Sequence, residues 1–163
     1  MSDTLSIVPT KNSAETSTTT ADLGALGEDL AIEHLQQLGY RIVLTNFKVP
    51  VGRNSKGVSV TGEIDVIAMD GETLCFVEVK TRRSEEFTPI TTAVDKQKQR
   101  QITRTAKVYR RLFNITDTKV RYDIVTVLMP NNVAPKIELI KGFWTEGSFN
   151  KKSWNDNGWY DFA

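Results

Sequence analysis

Three side chains that could together carry out hydrolysis lie on two neighbouring segments of the chain. Asp65 lies in residues 62–69, and Glu78 and Lys80 lie in residues 74–81. Both segments are rich in β-branched and aromatic residues, and an Asp-Gly pair lies in the turn between them, which is a strong signal for a tight antiparallel hairpin. We therefore predict that two adjacent antiparallel strands carry these side chains.

The alternation of side chains along a strand determines which of them can meet. Asp65 and Ile67 are predicted to lie on one face of the first strand, and Ile64 on the other. Glu78 and Lys80 share a face of the second strand and lie roughly 7 Å apart along it at the standard rise. Two acids and a lysine are thus expected to reach one small volume, within strands that otherwise have the apolar composition of a buried sheet.

Two neighbouring buried carboxylates and a lysine around a divalent cation form a recognisable set for hydrolysis. Because burying a charge costs several kcal/mol unless it is paired or bound to metal, Asp65 and Glu78 are expected to hold a divalent cation, Mg²⁺ or Mn²⁺, with the carbonyl of Val79 as a further ligand. The metal lowers the pKa of a bound water, which Lys80 would position or deprotonate. Glu63 either joins this set or pairs with a nearby cation. For the Glu-x-Lys pattern alone, a buried ion pair or a solvated sheet face explains the same residues.

A helix is predicted to begin at Asp22, which would act as its N-cap, and to end at Gly39. Its leucines recur at helical spacing on one arc: Leu23, Leu26, Leu30, Leu35 and Leu38. Glycines and an alanine along one flank would let the helix approach a sheet closely. Glu28 lies at the edge of that flank, where it either points toward the site as an additional metal or water ligand or serves as an ordinary first-turn acid.

A second long helix is predicted over residues 91–113. Five cations and no acid cluster within about 80° of its circumference, and we name them the basic stripe: Lys96, Arg100, Arg104, Lys107 and Arg111. A face that serves only solubility usually mixes both signs of charge, so the basic stripe is expected to contact a nucleic-acid backbone. The predicted apolar side comprises Val94, Ile102, Ala106, Tyr109, Leu112 and Phe113. Lys98 falls in the middle of that side, where it either neutralises a substrate phosphate or extends to the sheet edge.

The run Gly-Glu-Ile-Asp-Val-Ile-Ala, followed by a short turn and Phe-Val-Glu-Val-Lys-Thr-Arg, resembles the YraN-like family of small uncharacterised proteins. That family is similar to the restriction-endonuclease-like (PD-(D/E)xK) superfamily and to archaeal Holliday junction resolvases. The resemblance spans about residues 23–143 and implies a metal-dependent nuclease site at Asp65, Glu78 and Lys80. It also implies site roles for a glutamate of the first helix, matching Glu28, and for a lysine of the second, matching Lys98. A homodimer is expected by analogy with the junction-resolving relatives.

The order of predicted elements is helix, three strands, helix, two strands. The other strands are predicted over residues 40–47, 120–128 and 136–141, and Asp123 is expected to be a structural ion-pair partner. Residues 48–61, where the resembling family has a shorter connection, are predicted to form a long basic loop that either grips a phosphate backbone or is a solvated insertion. This order predicts an α/β fold, a restriction-endonuclease-like α/β/α core with a mixed central sheet in the order αβββαββ.

Composition limits the domain organisation and the compartment. A chain of 163 residues has room for one domain with a substantial core, and its formal net charge of +1 means that nucleic-acid affinity depends on how charges are distributed. Cys75 is the single cysteine, so an internal disulfide is excluded, and no transmembrane segment is predicted. A cytoplasmic protein without membrane partners is expected. Residues 1–20 are predicted to be a disordered tail, 21–143 the endonuclease-like domain and 144–163 an aromatic C-terminal extension.

Two functions from different classes are compatible with these features. The first is a divalent-metal-dependent nuclease that hydrolyses phosphodiester bonds in DNA, including branched DNA. The alternative is a catalytically inactive nucleic-acid-binding protein of the same fold, which would use the basic stripe and bind no metal. Metal affinity therefore separates the two hypotheses.

Overall fold

The chain folds as two α-helices and five strands in the part that the structure, a computed structural model, describes, which is residues 19–84, 92 and 94–149. The elements are α1 (Thr20–Gln37), β1 (Arg41–Arg53), β2 (Ser59–Asp70), β3 (Thr73–Arg82), α2 (Lys96–Leu112), β4 (Val120–Leu128), β5 (Lys136–Trp144) and a short 3-10 helix (Glu146–Phe149). This order confirms the predicted αβββαββ arrangement. Within the same residues, no helix combines the length and the apolar content that a bilayer crossing requires.

The five strands form one mixed sheet in the order β1-β2-β3-β4-β5. All neighbouring pairs are antiparallel except β3 and β4, which run parallel. Parallel neighbours need a long crossover connection, and α2 lies in the connection between these two strands. The mixed sheet that the sequence predicts is therefore confirmed.

Each face of the sheet is covered by one helix. On one face, Ile102 and Tyr109 of α2 pack with Phe76 of β3 in one buried cluster. On the other face, Leu35 of α1 packs with Val77 of β3 in a second cluster. Because β3 is covered on both faces, it is buried almost continuously, as expected of a central strand.

The N-terminus of α1 differs from the prediction in its cap. Thr19, not Asp22, is the N-cap: its side chain accepts a hydrogen bond from the backbone N–H of Asp22, and the Asp22 carboxylate accepts one from the backbone N–H of Thr19. These two reciprocal hydrogen bonds form a capping box, with Thr19 at the N-cap and Asp22 at the third helical position. The predicted end is confirmed, since Gly39 follows the helix with a φ of +88°.

The predicted basic hairpin loop at residues 48–61 is wrong in its extent. β1 continues to Arg53 and β2 starts at Ser59, so that only a short turn remains, closed by a 2.9 Å hydrogen bond from Asn54 N to Val58 O. Pro50 and Gly52 were the loop signals, but β1 is an edge strand, where a missing N–H is tolerated and a glycine accommodates a register shift. The segment consists mainly of the paired ends of β1 and β2 and is not a flexible insertion.

The start and the last turn of α2 also differ from what the sequence predicts. α2 begins at Lys96 with Asp95 as its N-cap, and part of the predicted segment before it lies outside the described residues. Leu112 and Phe113 were placed on the apolar side, yet 59% and 57% of their surfaces are exposed. Phe113 is the C-cap and keeps a ring contact with Tyr109 at 4.7 Å, so the last turn is only partly covered by the core.

The start of the predicted aromatic extension is part of the fold. Trp144 is the last residue of β5, is buried, stacks on Tyr122 at 5.0 Å and donates a hydrogen bond to Thr103 Oγ1 at 3.0 Å. The remaining residues of the extension, 150–163, and residues 1–18 of the predicted tail lie outside the described part of the chain.

Candidate active site

The centre of the candidate site is Glu78 on β3, whose side chain is only 3% exposed. Its Oε1 lies 2.8 Å from Nζ of Lys80 and 3.4 Å from Nζ of Lys98. Lys80 is two residues further along the same strand, and Lys98 comes from the first turn of α2, which packs over that face. The structure therefore brings both predicted lysines to one carboxylate oxygen.

The second oxygen of Glu78 has no partner. Oε2 is buried and receives no hydrogen bond from any described residue. An unsatisfied buried oxygen of a charged group is expensive, and native proteins retain such atoms chiefly where a ligand, an ion or catalysis requires them. Oε2 is thus a buried acceptor that a cation or a hydrogen-bond donor could satisfy.

Asp65 of β2 lies next to this carboxylate. Its Oδ2 accepts a 2.8 Å hydrogen bond from the backbone N–H of Val79, which ties β2 to β3 beside Glu78. Burial, followed by the negative charge of Glu78, raises the pKa of Asp65 to about 7, although the Val79 N–H and the charge of Lys98 act in the opposite direction. Near neutral pH a substantial fraction of Asp65 is therefore protonated, and a cation beside it would favour the ionised carboxylate.

Strand β2 is irregular at Asp65, contrary to the strict alternation that the sequence predicts. Ile64 and Ile67 belong to the same cluster on the α2 side of the sheet. They are three positions apart, and strict alternation would place them on opposite faces. Asn46, which the register of β1 places opposite Asp65, has a φ of +52°. A local distortion of this pair lets Ile64 pack inward, and no periodicity in the sequence signals it.

Glu28 is held near the site by a close contact between α1 and β3. A Cβ on Gly27 would lie 1.9 Å from Oγ1 of Thr81, so that α1 can approach β3 only because residue 27 is glycine. Glu28, the next residue, is partly buried, and its negative charge contributes to the raised pKa of Asp65. Glu28 therefore lies within electrostatic reach of Asp65.

A second glycine allows the other helix to approach. A Cβ on Gly62 would lie 2.0 Å from Oγ1 of Thr105 in α2. Gly62 is three residues before Asp65 in β2, so the contact fixes α2 against the strand that carries that carboxylate. Sequence analysis missed this residue, although the glycine that opens the Gly-Glu-Ile-Asp run was the available signal.

Two other acids of the sheet have structural roles. Glu63 pairs with Lys48 across the β1–β2 ladder at 3.1 Å, so of its two predicted roles it takes the pairing with a nearby cation. The distortion at Asp65 accounts for this, because it changes the alternation of side chains between Glu63 and Asp65. Asp123 is fully buried and accepts hydrogen bonds from Arg121 Nε at 2.8 Å and from the backbone N–H of Gly142, which confirms the predicted ion-pair partner.

The thiol of Cys75 does not take part in the candidate chemistry. Burial, followed by the charge of Asp123, raises the pKa of Cys75 to about 12, so that the nucleophilic thiolate form is disfavoured at physiological pH. Within the described ranges, no three His, Cys, Asp or Glu side chains are grouped so that they could hold a metal ion. A cation at Asp65 and Glu78 would consequently rest on two carboxylates, main-chain oxygen and water.

Similarity to known proteins covers the segment that carries these residues. A family model described as uncharacterised protein family UPF0102 matches residues 27–127. The chain belongs to the UPF0102 family. A UPF0102 protein of Solibacter usitatus is 40% identical over 119 residues, which are 73% of this chain and 83% of that protein. A UPF0102 protein of Renibacterium salmoninarum is 36% identical over 124 residues, covering 76% of this chain and 97% of the relative.

Among solved structures, that of SSO0001 matches with a TM-score of 0.37 and 18% sequence identity. The match covers 78% of this chain and 54% of that one, so the chain spans about half the length of that structure. Membership of UPF0102, the YraN-like family, confirms the family that the sequence resembles. The matched segment includes every residue of the cluster and of the basic stripe.

The basic stripe of this UPF0102 chain is exposed along its whole length. None of its members forms an ion pair with a described carboxylate, whereas Lys48, Arg110 and Lys141 do. Arg100 instead lies over the ring of Phe149, 5.7 Å from its centroid. On the helical wheel the stripe is centred roughly 160° from the buried residues of α2, so it faces solvent while Lys98 faces the sheet.

Proposed function

We propose that this UPF0102 protein is a divalent-metal-dependent phosphodiesterase that hydrolyses nucleic acid, with DNA as the expected substrate. The observation that carries the proposal is the environment of Glu78: a buried carboxylate with two lysines at one oxygen and no partner at the other. A purely structural ion pair of this kind would be expected to have both oxygens satisfied, because a half-satisfied buried network is destabilising.

In this proposal Asp65 and Glu78 hold Mg²⁺ or Mn²⁺, and the carbonyl of Val79 is available as a further ligand. Two carboxylates are sufficient, because Mg²⁺ usually keeps several of its waters. When bound, such an ion lowers the pKa of a coordinated water and neutralises developing charge on a phosphoryl oxygen. The raised pKa of Asp65 supports the assignment, since burial and the neighbouring charge of Glu78 disfavour its ionised form and a cation between the two acids would offset both effects.

The lysines provide the remaining functions of the site. Lys80 is held by Glu78 and would orient or deprotonate the attacking water, while Lys98 would donate to the phosphate undergoing cleavage. Their side chains are 30% and 31% exposed, so both ammonium groups can reach an anion at the surface without leaving Glu78. Glu28 would bind outer-sphere water beside Asp65.

We further propose that the chain is a member of the restriction-endonuclease-like (PD-(D/E)xK) superfamily. Support comes from an aspartate on β2 followed by Glu-Val-Lys on β3, together with the αβββαββ order. These features match the superfamily's signature in both residue type and strand position.

A second function, nucleic-acid binding without catalysis, is favoured by one specific observation. The basic stripe has no ion-pair partner among the described residues and faces away from the sheet. Unpaired cations of one sign suit a phosphate backbone, and their binding does not require the Glu78 cluster. A protein that uses only the stripe would bind nucleic acid in a salt-dependent manner and leave it intact.

A cleavage panel separates the two functions. Linear, nicked, flap and four-way DNA would be incubated with the purified protein and Mg²⁺ or Mn²⁺, beside Asp65→Asn, Lys80→Ala and the control Glu63→Gln. We expect both site variants to lose at least a hundredfold in cleavage rate, and Glu63→Gln to retain it because Glu63 pairs only with Lys48. Unchanged cleavage by Asp65→Asn would refute the mechanism. Salt-sensitive DNA binding with no Mn²⁺ affinity in calorimetry would establish the second function.

A further inference from the structure

A surface cavity of about 410 Å³ opens beside the last turn of α2. It is lined by Lys107, Arg110, Arg111, Asn114, Ile115 and Thr116. We name it the α2 cavity. Three of its six lining residues are cations, two others are polar, and none is acidic. This donor set matches an anion, and a phosphate group in particular, because guanidinium groups present a planar fork that fits phosphate oxygens.

The cations of the α2 cavity differ in how far they are already paired. Arg110 donates from a terminal guanidinium nitrogen to Glu146 Oε1 at 3.1 Å, but its Nε is buried and has no hydrogen-bond partner. Lys107 and Arg111 are exposed, and no described residue forms an ion pair with either of them. The cavity therefore carries two positive charges without an ion-pair partner among the described residues, while the unsatisfied Nε of Arg110 lies beneath its surface.

A purely structural explanation accounts for part of this arrangement. Cations in the last turn of a helix interact favourably with its dipole, typically by about 0.3–1 kcal/mol each. That effect does not require the cations to line one concave surface, where they repel each other. It also leaves the buried Nε of Arg110 without an acceptor. An anion in the cavity would relieve the repulsion between the cations.

We propose that the α2 cavity binds a backbone phosphate of a nucleic acid, outside the Glu78 site. Lys107 and Arg111 belong to both the cavity and the basic stripe, so a strand that follows the stripe reaches the cavity. At a rise of about 1.5 Å per residue, these two residues lie roughly 14 and 20 Å along α2 from Lys98. Duplex rises about 3.4 Å per base pair, which corresponds to roughly four to six base pairs. The assignment of this phosphate to a nucleic acid rests on the proposed function.

The first test is a titration of the full-length, ¹⁵N-labelled protein with inorganic phosphate in the presence of EDTA. We expect the amide signals of residues 114–116 to shift saturably, and the apparent affinity to fall at least tenfold in the double variant Lys107→Gln/Arg111→Gln. The control Arg41→Gln/Lys56→Gln removes the same charge from exposed positions of the β1–β2 hairpin and should bind phosphate like wild type. Should the Lys107→Gln/Arg111→Gln double variant fail to fold, the single substitution Lys107→Glu serves the same purpose.

Two results would overturn the proposal. If the double variant loses only thermal stability and keeps the phosphate-dependent shifts, the cations serve the helix dipole alone. If phosphate shifts these signals but a twelve-base-pair duplex does not displace it, the ligand is a free phosphate compound and not a backbone. Displacement by the duplex is the expected outcome. Because the titration needs neither metal nor cleavage, an Asp65→Asn protein should behave like wild type, so an absence of nuclease activity cannot be mistaken for an absence of this site.

Discussion

Lys98 in α2 reaches Glu78 in β3, with 3.4 Å between Nζ and Oε1, at the same oxygen that Lys80 contacts. The two ammonium groups balance the charges of Glu78 and Asp65, and Glu28 adds one further negative charge nearby. In the proposed metal-bound state, the divalent cation changes this net negative charge of one into a net positive charge of one. The positive charge is complementary to the negative charge of a phosphodiester. That charge would favour an anionic substrate, and the metal-free form of the site should be electrostatically strained.

The first prediction concerns the stability of the metal-free protein. Since the pKa of Asp65 is raised to about 7 in the folded chain, the folded state binds more protons than the unfolded state between about pH 4 and pH 7. The free energy of unfolding therefore falls as pH rises across that window. We expect Asp65→Asn to be about 1–3 kcal/mol more stable than wild type at pH 8 in EDTA, and nearly equal to it at pH 4.

Urea unfolding at the two pH values measures this difference. Asp29→Asn, an exposed substitution on α1, provides the control and should show no pH-dependent gain. Added Mn²⁺ should stabilise wild type and leave Asp65→Asn unaffected. A wild type that is more stable than Asp65→Asn at pH 8 without metal would contradict the assignment of a strained acid pair.

The second prediction separates the roles of the two lysines. Lys98→Gln removes a donor expected to act on the phosphate in the transition state, and such donors typically contribute a factor of 10²–10³ to kcat. We expect a loss of that size in kcat with KM changed less than threefold. Steady-state cleavage of the best substrate of the panel provides the measurement. An unchanged kcat would mean that Lys98 serves only to pair with Glu78, in which case the variant would be destabilised and still active.

The third prediction tests the close contact between α1 and β3. Gly27→Ala places a Cβ 1.9 Å from Thr81 Oγ1, so the helix must move outward, and we expect a loss of about 1–3 kcal/mol in stability. Activity should fall further than stability alone explains, because Glu28 moves with the helix. Gly24→Ala is the matched control: nothing lies within 4 Å of its Cβ, and replacing a helical glycine by alanine should stabilise by about 0.5–1 kcal/mol. Thermal denaturation of Gly27→Ala and Gly24→Ala, and of Gly27→Ala/Thr81→Ala as a partial rescue, would decide the matter.

The convergence of Asp65, Glu78 and Lys80 was predictable because it depends on strand periodicity and on one tight turn, which are local properties of the chain. Lys98 and Glu28 were identified by their positions on helical wheels together with the family resemblance. The same local rules failed for Ile64, since a backbone distortion at Asp65 is set by packing against a neighbouring strand and helix. Register irregularity of this kind leaves no periodic signal in the sequence.

The errors at the ends of elements have a related cause. Pro50 and Gly52 are loop signals in most contexts, but whether a strand lies at the sheet edge is decided by the whole topology. The α2 cavity likewise depends on how the residues after the helix fold back beside Arg110, which no helical wheel contains. Contacts between distant segments were thus the part of the structure that sequence reasoning could not supply.

The last prediction concerns the basic stripe. Each cation that neutralises a phosphate releases counterions, so the slope of log affinity against log salt decreases by about 0.7–0.9 for each contact removed. Lys96→Gln/Arg104→Gln should lower the magnitude of that slope by about 1.4–1.8 in fluorescence anisotropy with a labelled oligonucleotide. The control Lys48→Gln/Lys141→Gln removes cations already paired with Glu63 and Asp70 and should leave the slope unchanged. Equal slopes for all three proteins would show that Lys96 and Arg104 belong to an ordinary solvated face, and nucleic-acid binding would then have to rest on the α2 cavity or on the neighbourhood of Glu78.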